Sequence, residues 1–326
     1  MEHYPDSMME TIWEQRGAYL KWNAIATIHG YHEEQLRSAF RRWKIRTKRG
    51  MWSGIIQPDV APFVLDHTLP KVTVDQEPWK GKQIFTQLVF ADVHAPYQCD
   101  RSIAIMLEIL NDSQPDSVIN LGDMVDCYTL SDFLRDPNRK ESLQDEIDIA
   151  RGINLMVRQA APNAVIDQFE GNHEERLRRA LWRAEKAQAV LFSLTNLQRE
   201  ATWPKLLDLE GLSINWHPTG TIKEIAPNFY AHHGDVKGDP FAKFQVNGIS
   251  GHIHKFLMRT ARTIKEQIEW FTCPTLGTLN PEYDCHPQWQ NGFWFLTHDL
   301  EAGTRYAEPV RIQDGSALFK GRKYTA

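Results

Sequence analysis

The chain has 326 residues, a formal net charge of -5, 42% hydrophobic residues and 24% charged residues. This length accommodates a large domain and a small one, since domains commonly run ~100 to 200 residues. No apolar run approaches the ~20 residues of a membrane helix, and the N-terminus lacks the basic start and apolar centre of a signal peptide, so a soluble, cytoplasmic protein is expected. Cys99, Cys127, Cys273 and Cys285 show no C-x-x-C spacing, which argues against a zinc knuckle and a disulfide scaffold and favours reduced thiols.

Residues 1–50 hold nine Lys or Arg and six Asp or Glu, a net of +3 against -5 for the whole chain, so the remainder carries -8. A first helix is predicted near residues 8–18, and residues 22–41 read as a helix-turn-helix. Ala26 is small where two helices cross, Gly30 marks a tight turn, and Leu36 and Phe40 share one face of the second helix. Glu33 and Glu34 suit the positive end of that helix. Arg37, Arg41, Arg42, Lys44 and Arg46 follow with no acid among them, a pattern suited to phosphate contacts along a DNA duplex. The other reading is a small helical bundle with a solvated basic face, used for protein contacts.

Residues 51–82 read as a connector, because Pro58, Pro62, Pro70 and Pro78 interrupt any helix while Val60, Phe63, Val64, Leu65 and Val72 can pack on a neighbouring domain. From residue 83 strands and helices alternate. Apolar runs at 84–90, 118–121 and 165–169 predict strands. Helices are predicted between them, from Ile103, Met106, Leu107 and Leu110, and from Ile149, Ile153, Met156 and Ala160. Arg176, Arg178, Arg179 and Arg183 follow the third strand on a helix that reads better as a solvated face than as an anion site. Beyond residue 211 strands dominate, at 212–216, 228–231, 246–250, 256–263, 267–272, 292–297 and 306–312. The polar and aromatic loop 281–292 reads either as a base-stacking platform beside the site or as a surface loop with Trp289 partly buried.

Each of the first three strands runs into a polar cluster: Asp92-Val93-His94, Gly122-Asp123-Met124-Val125-Asp126 and Gly171-Asn172-His173-Glu174. Open α/β sheets hold their ligands at such strand ends. Two further clusters, His232-His233-Gly234 and Gly251-His252-Ile253-His254, come from the strand-rich half. Carboxylate, amide and imidazole donors in one set suit divalent first-row metals, and such mixtures hold metal pairs that hydrolyse phosphate esters.

The five blocks, in this order, resemble the calcineurin-like metallophosphoesterases, whose pattern is D-x-H, G-D-x-x-D, G-N-H-E/D, H and G-H-x-H. The resemblance covers roughly residues 83 to 300. It implies an α/β fold, a sandwich of two sheets flanked by helices, here with a small all-α helix-turn-helix domain at the N-terminus. The organisation expected is a helix-turn-helix in 1–50, a connector in 51–82 and a catalytic domain in 83–326.

The same resemblance implies two divalent metal ions, with Mn expected and Fe, Zn or Ni as alternatives. One would be held by Asp92, His94, Asp123 and His254, the other by Asp123, Asn172, His233 and His252. Asp123 would bridge the pair, and a metal-bridging hydroxide would attack phosphorus. Of the adjacent His232 and His233, the residue immediately before Gly is the implied ligand. His173 is the implied acid. Asp126 is either the carboxylate that orients its ring or an ordinary helix N-cap.

Protein phosphatases of this superfamily follow G-D-x-x-D with Arg-Gly, where this chain has Cys127-Tyr128, and follow D-x-H with Gly, where this chain has Ala95. Those differences argue against protein dephosphorylation. Helix-turn-helix modules joined to such a core resemble proteins of bacteriophages and prophages. The expectation is a DNA phosphodiesterase or nuclease. The alternative is a phosphatase or small cyclic-nucleotide phosphodiesterase whose N-terminal domain serves assembly or regulation. A DNA-binding protein with a vestigial metal site fits the complete ligand set poorly.

Overall fold

The computed structural model describes residues 6–17, 22–29, 77–131, 141–183, 199–234, 239–264, 266–280 and 288–326, together with His32, Leu36 and Leu194. The chain divides into two compact units, Met1–Leu65 and Asp66–Ala326. In the first, α1 (Asp6–Gly17) packs against α2 (Trp22–His29). Met9 and Ile12, one turn apart on α1, are buried, as are Ile25, Ala26 and Leu36. The basic residues Arg37, Arg41, Arg42, Lys44 and Arg46, and residues 51–76 of the expected connector, lie outside the described residues.

The second unit is built on two sheets. The first has six strands in the order β11-β10-β1-β2-β3-β4, comprising β1 (Ile84–Phe90), β2 (Ser117–Asn120), β3 (Val165–Phe169), β4 (Ile214–His217), β10 (Asn291–Asp299) and β11 (Thr304–Ile312). Strands β1 to β4 are mutually parallel, β10 pairs antiparallel with β1, and β11 pairs antiparallel with β10. The second sheet has five strands in the order β5-β6-β7-β9-β8, comprising β5 (Lys223–Ala226), β6 (Phe229–His232), β7 (Gly248–Ser250), β8 (Leu257–Arg262) and β9 (Gln267–Thr272). A C-terminal hairpin, β12 (Ser316–Phe319) and β13 (Arg322–Thr325), closes the chain.

The sheets face each other over one apolar layer. Phe85, Val89, Ile119, Leu121, Phe169 and Trp294 of the first meet Ile225, Phe229, Ala231, Ile249 and Phe271 of the second. Polar contacts also cross this layer, among them those of Gln87 and of Trp294 Nε1, which donates to the Thr272 carbonyl. Gln87, fully buried, donates from Nε2 to the Ile225 carbonyl at 2.9 Å, while its Oε1 lies 2.9 Å from His298 Nε2. The Arg305 guanidinium lies 3.8 Å from the centroid of the Phe229 ring and reaches His298 Nδ1.

Helices α3 (Asp100–Ser113) and α4 (Leu143–Ala160) pack on each other, burying Ile103, Ile105, Met106, Ile109 and Leu110 of α3 and Ile147, Ala150, Ile153 and Val157 of α4. A capping box starts α4: Ser142 Oγ accepts from Asp145 N, and the Asp145 carboxylate accepts from Ser142 N. Shorter helices follow as α5 (Glu175–Trp182), α6 (Trp203–Leu206) and α7 (Pro240–Phe244). No helix among the described residues is long and apolar enough to cross a membrane.

The fourth strand starts two residues later than expected. Asp208 and Ser213 take left-handed backbone at φ 53° each, so the chain turns before it can pair with β3. Strand β5 and the C-terminal hairpin were not expected. They are four residues each, too short for an alternating pattern to stand out.

Candidate metal centre

Parallel pairing carries β1, β2 and β3 to one edge of the first sheet, and β6 and β7 likewise end side by side in the second. The five polar blocks follow these ends. They meet, since Asp92 Oδ1 lies 3.6 Å from His254 Nε2, and Asp123 Oδ2 lies 3.3 Å from His233 Nε2.

Among the described residues three groups of possible donors form, one of them made by His94, Asp126 and His173, and the other two flank Asp123. In one, Asp92, His94 and His254 bring ligand atoms together, with His94 Nε2 and His254 Nε2 3.2 Å apart. In the other, Asp123, His233 and His252 converge, and Asn172 Oδ1 lies 2.9 Å from His233 Nε2. Asp123 Oδ2 sits between the groups, 3.9 Å from His94 Nε2 on one side and 3.3 Å from His233 Nε2 on the other. Among the described residues no Lys or Arg pairs with Asp92 or Asp123, both of which are buried. Buried charges are ordinarily paired or coordinate metals.

The imidazoles are turned for metal binding. His233 Nδ1 lies 2.8 Å from the Leu121 carbonyl and His94 Nδ1 lies 3.1 Å from Asp126 Oδ1, so each ring donates from Nδ1 and keeps the Nε2 lone pair for the centre. Burial, and then the neighbouring imidazoles His173 for His94 and His233 for His252, lower the pKa of His94 and His252 and leave those lone pairs unprotonated. Burial would lower His233 too, but Asp123 raises it to about 10, so a proton competes there for the position a cation would take. Asp123 is itself held well below the usual carboxylate range, since His233, His173 and His94 outweigh its burial. Donor chemistry, tautomers and charge all fit divalent metal ions.

The backbone explains the D-x-H and H-x-H spacings. Asp92, His94, Asp123, His252 and His254 all have left-handed backbone, at φ 55°, 52°, 52°, 73° and 56°. Such conformations are rare outside Gly and gather at functional sites. Glycine is needed at Gly171, where a Cβ would lie 2.1 Å from Asp123 Oδ1, and at Gly122, whose φ is +109°.

Beside the donors lies a His–Asp pair. The Asp126 carboxylate is 3.2 Å from His173 Nδ1 and 3.1 Å from His94 Nδ1, and His173 Nδ1 also lies 2.8 Å from the Asp126 carbonyl. Asp126 thus spans two imidazoles and caps no helix; Cys127 takes the N-cap position of the short turn that follows. Burial alone would lower the His173 pKa, but Asp123 and Asp126 raise it to about 9. His232 points elsewhere: its Nδ1 accepts from Gly234 N at 2.8 Å and its ring packs near Phe244.

Three contacts were not read from the sequence. Glu174, fully buried, accepts from Asp123 N and Gly171 N on Oε2 and from Val125 N on Oε1, at 3.1, 2.9 and 2.9 Å. Arg176 reaches His173 Nε2, and the Trp289 ring stands edge-on to His254 at 4.4 Å between centroids. Residues 281–287 of the Trp289 loop lie outside the described residues.

A family model for calcineurin-like phosphoesterases matches residues 85–256. The chain belongs to this family. It is similar in sequence to the Gene 54 protein of Mycobacterium phage D29, 21% identical over 182 residues that span 52% of this chain and 68% of the phage protein. Among solved structures it is similar to vacuolar protein sorting 29 of Cryptosporidium parvum, with 13% identity, a TM-score of 0.39, and coverage of 75% of this chain and 100% of that one. It is also similar to YfcE, a phosphoesterase from E. coli, with 11% identity, a TM-score of 0.33, and coverage of 70% and 100%.

Proposed function

We propose that this calcineurin-like phosphoesterase is a dinuclear-metal phosphodiesterase that hydrolyses DNA. The observation that carries the dinuclear reading is the Asp123 carboxylate lying between two donor groups. One ion would be held by Asp92, His94, Asp123 and His254, and the other by Asp123, Asn172, His233 and His252, with Mn as the metal to test first. When bound, such a pair supplies a nucleophile near neutral pH and offsets phosphoryl charge.

The chain's own residues supply the rest. In hydrolysis the water oxygen bonds to phosphorus, and the ester P–O bond breaks with its electron pair on the leaving oxygen. That oxygen takes a proton from His173 Nε2, and the ring recovers one from solvent. Asp126 acts by holding the Nδ1 edge of His173 and, at once, of His94, so acid and ligand share one anchor.

A DNA substrate is supported by the basic run Arg37, Arg41, Arg42, Lys44 and Arg46 behind the predicted helix-turn-helix, and by the phage relative. The chemistry is tested on bis-p-nitrophenyl phosphate against the monoester, each with Mn, where preference for the diester is expected. DNA docking is tested by fluorescence anisotropy on one duplex across a salt series. If both touch phosphates, neutralising Arg41 and Arg42 together flattens the slope of log affinity against log salt by about two. Preference for the monoester together with an unchanged slope would favour a small-substrate phosphatase.

A further inference from the structure

Three arginines on one short helix have different fates. Arg178 pairs with Glu175 at 2.7 Å and with Glu170 at 3.6 Å, and Arg179 pairs with Glu175. Arg176, on the first turn of α5, pairs with no carboxylate among the described residues. Its guanidinium turns into the centre instead, with NH1 donating to the Asp126 carbonyl at 2.8 Å and NH2 lying 3.1 Å from His173 Nε2.

That second contact sets a donor-only guanidinium against the ring edge of His173 that faces away from Asp126, whose carbonyl and carboxylate hold Nδ1. The guanidinium is half-buried and has no carboxylate partner among the described residues. A planar fork of donors suits phosphate oxygens better than a ring nitrogen.

We propose that Arg176 is the phosphoryl-binding residue of this site, resting on His173 Nε2 in the free protein and moving to the ester's phosphoryl oxygens when substrate enters. The inference rests on the hydrolytic reading above.

The test uses full-length wild type, Arg176→Gln and Arg176→Lys, with inorganic phosphate as the probe. In calorimetric titrations of the Mn-loaded proteins, Arg176→Gln should weaken phosphate about ten- to a hundredfold, the usual loss for a charge-assisted hydrogen bond, with metal content unchanged. Arg176→Lys, which keeps charge but not the fork, should fall between. In metal-free protein, the ¹⁵N resonance of His173 Nε2 should shift once Arg176 is replaced, a readout that needs no turnover. Equal phosphate affinity in all three metal-replete proteins overturns the proposal, as does an unmoved Nε2 resonance. Should Arg176→Gln fail to fold by circular dichroism, Arg176→Lys decides by the same criteria. Wild type that hydrolyses no phosphate ester defeats the hydrolytic reading, while phosphate affinity and the Nε2 resonance still decide what Arg176 binds.

Discussion

Replacing Glu174 by Gln tests how the centre is held together. The carboxylate accepts three backbone donors from two different motif loops: Asp123 N and Gly171 N on Oε2, and Val125 N on Oε1. All of it is buried, and Trp203 Nε1 fixes its backbone by donating to the Glu174 carbonyl at 2.8 Å. Gln has one acceptor oxygen. If that oxygen keeps Asp123 N and Gly171 N, the new amide NH₂ must face Val125 N–H, a donor against a donor. One buried amide left unsatisfied costs about 1–3 kcal/mol, so Glu174→Gln should lose roughly 2 kcal/mol, and Glu174→Ala, which strands all three donors, about 3–9 kcal/mol. Asp123 and Asn172 ride on the loops released, so Mn affinity should fall in parallel. The assays are urea unfolding at pH 7.5 and a Mn titration of each protein. Stability within 0.5 kcal/mol of wild type for Glu174→Gln, a tolerance set by the low end of the cost of an unmade bond, would refute the argument.

Asp123→Asn should abolish turnover and lower metal stoichiometry, because a neutral amide cannot balance two dications; two metals by elemental analysis with near-wild-type rate would unseat the bridging role. His173→Asn should retain both metals but slow hydrolysis by about 10²- to 10⁴-fold, and less for p-nitrophenyl esters, whose leaving group needs no proton; metal loss in this variant would mean that His173 is a ligand. The third expectation concerns pH and lies far from the centre. Burial, then the nearby Arg305, pushes His298 down to about 3 in the fold, against about 6.5 unfolded. A lowered pKa in the native state means that the unfolded chain binds the proton first, so stability falls as pH drops from about 6.5 towards 3. Between pH 7 and pH 5 the loss should be about 2 kcal/mol. Urea unfolding of wild type and His298→Gln at both pH values checks it, and equal acid losses in the two proteins would contradict it.

The sequence showed the centre more clearly than its supports. Asp92, Asp123 and Asn172 each follow an apolar run of strand length, so position and chemistry were readable together, while the choice of His233 over His232 came from the family pattern, which places its ligand immediately before Gly. The contacts of Glu174, Arg176 and Trp289 were not readable. Each depends on where a side chain from one loop meets another, and no local period encodes that. The Gln87–His298 bond joins residues 211 positions apart, and neither residue stands out in its strand. The C-terminal hairpin did carry a signal that went unread. Asp314-Gly315 and Lys320-Gly321 both have positive φ at their two positions, the turn chemistry that ends and restarts short antiparallel strands. The basic N-terminal run is legible as charge alone, and charge says what it can attract without saying how it folds.

Five residues of the centre hold left-handed backbone, and a non-glycine residue there costs roughly 1 kcal/mol or more. About 5 kcal/mol of local strain is comparable with the net stability of a whole domain. The bonds that offset it run between motifs. Asp92 N donates to the Gly122 carbonyl at 3.0 Å, His94 N to the Asp123 carbonyl at 2.9 Å, and Gly251 N to the His233 carbonyl at 2.8 Å. His252 N donates to the Asp92 carboxylate, and His173 N to Asp123 Oδ1 at 2.9 Å. The strained blocks are therefore bonded to one another and to the two unstrained ones, so the blocks cannot be ordered one at a time. The donors reach their places as one cooperative unit, fixed by backbone bonds from both sheets. A cation entering such a site has little chain left to order, so most of its binding free energy is realised as affinity.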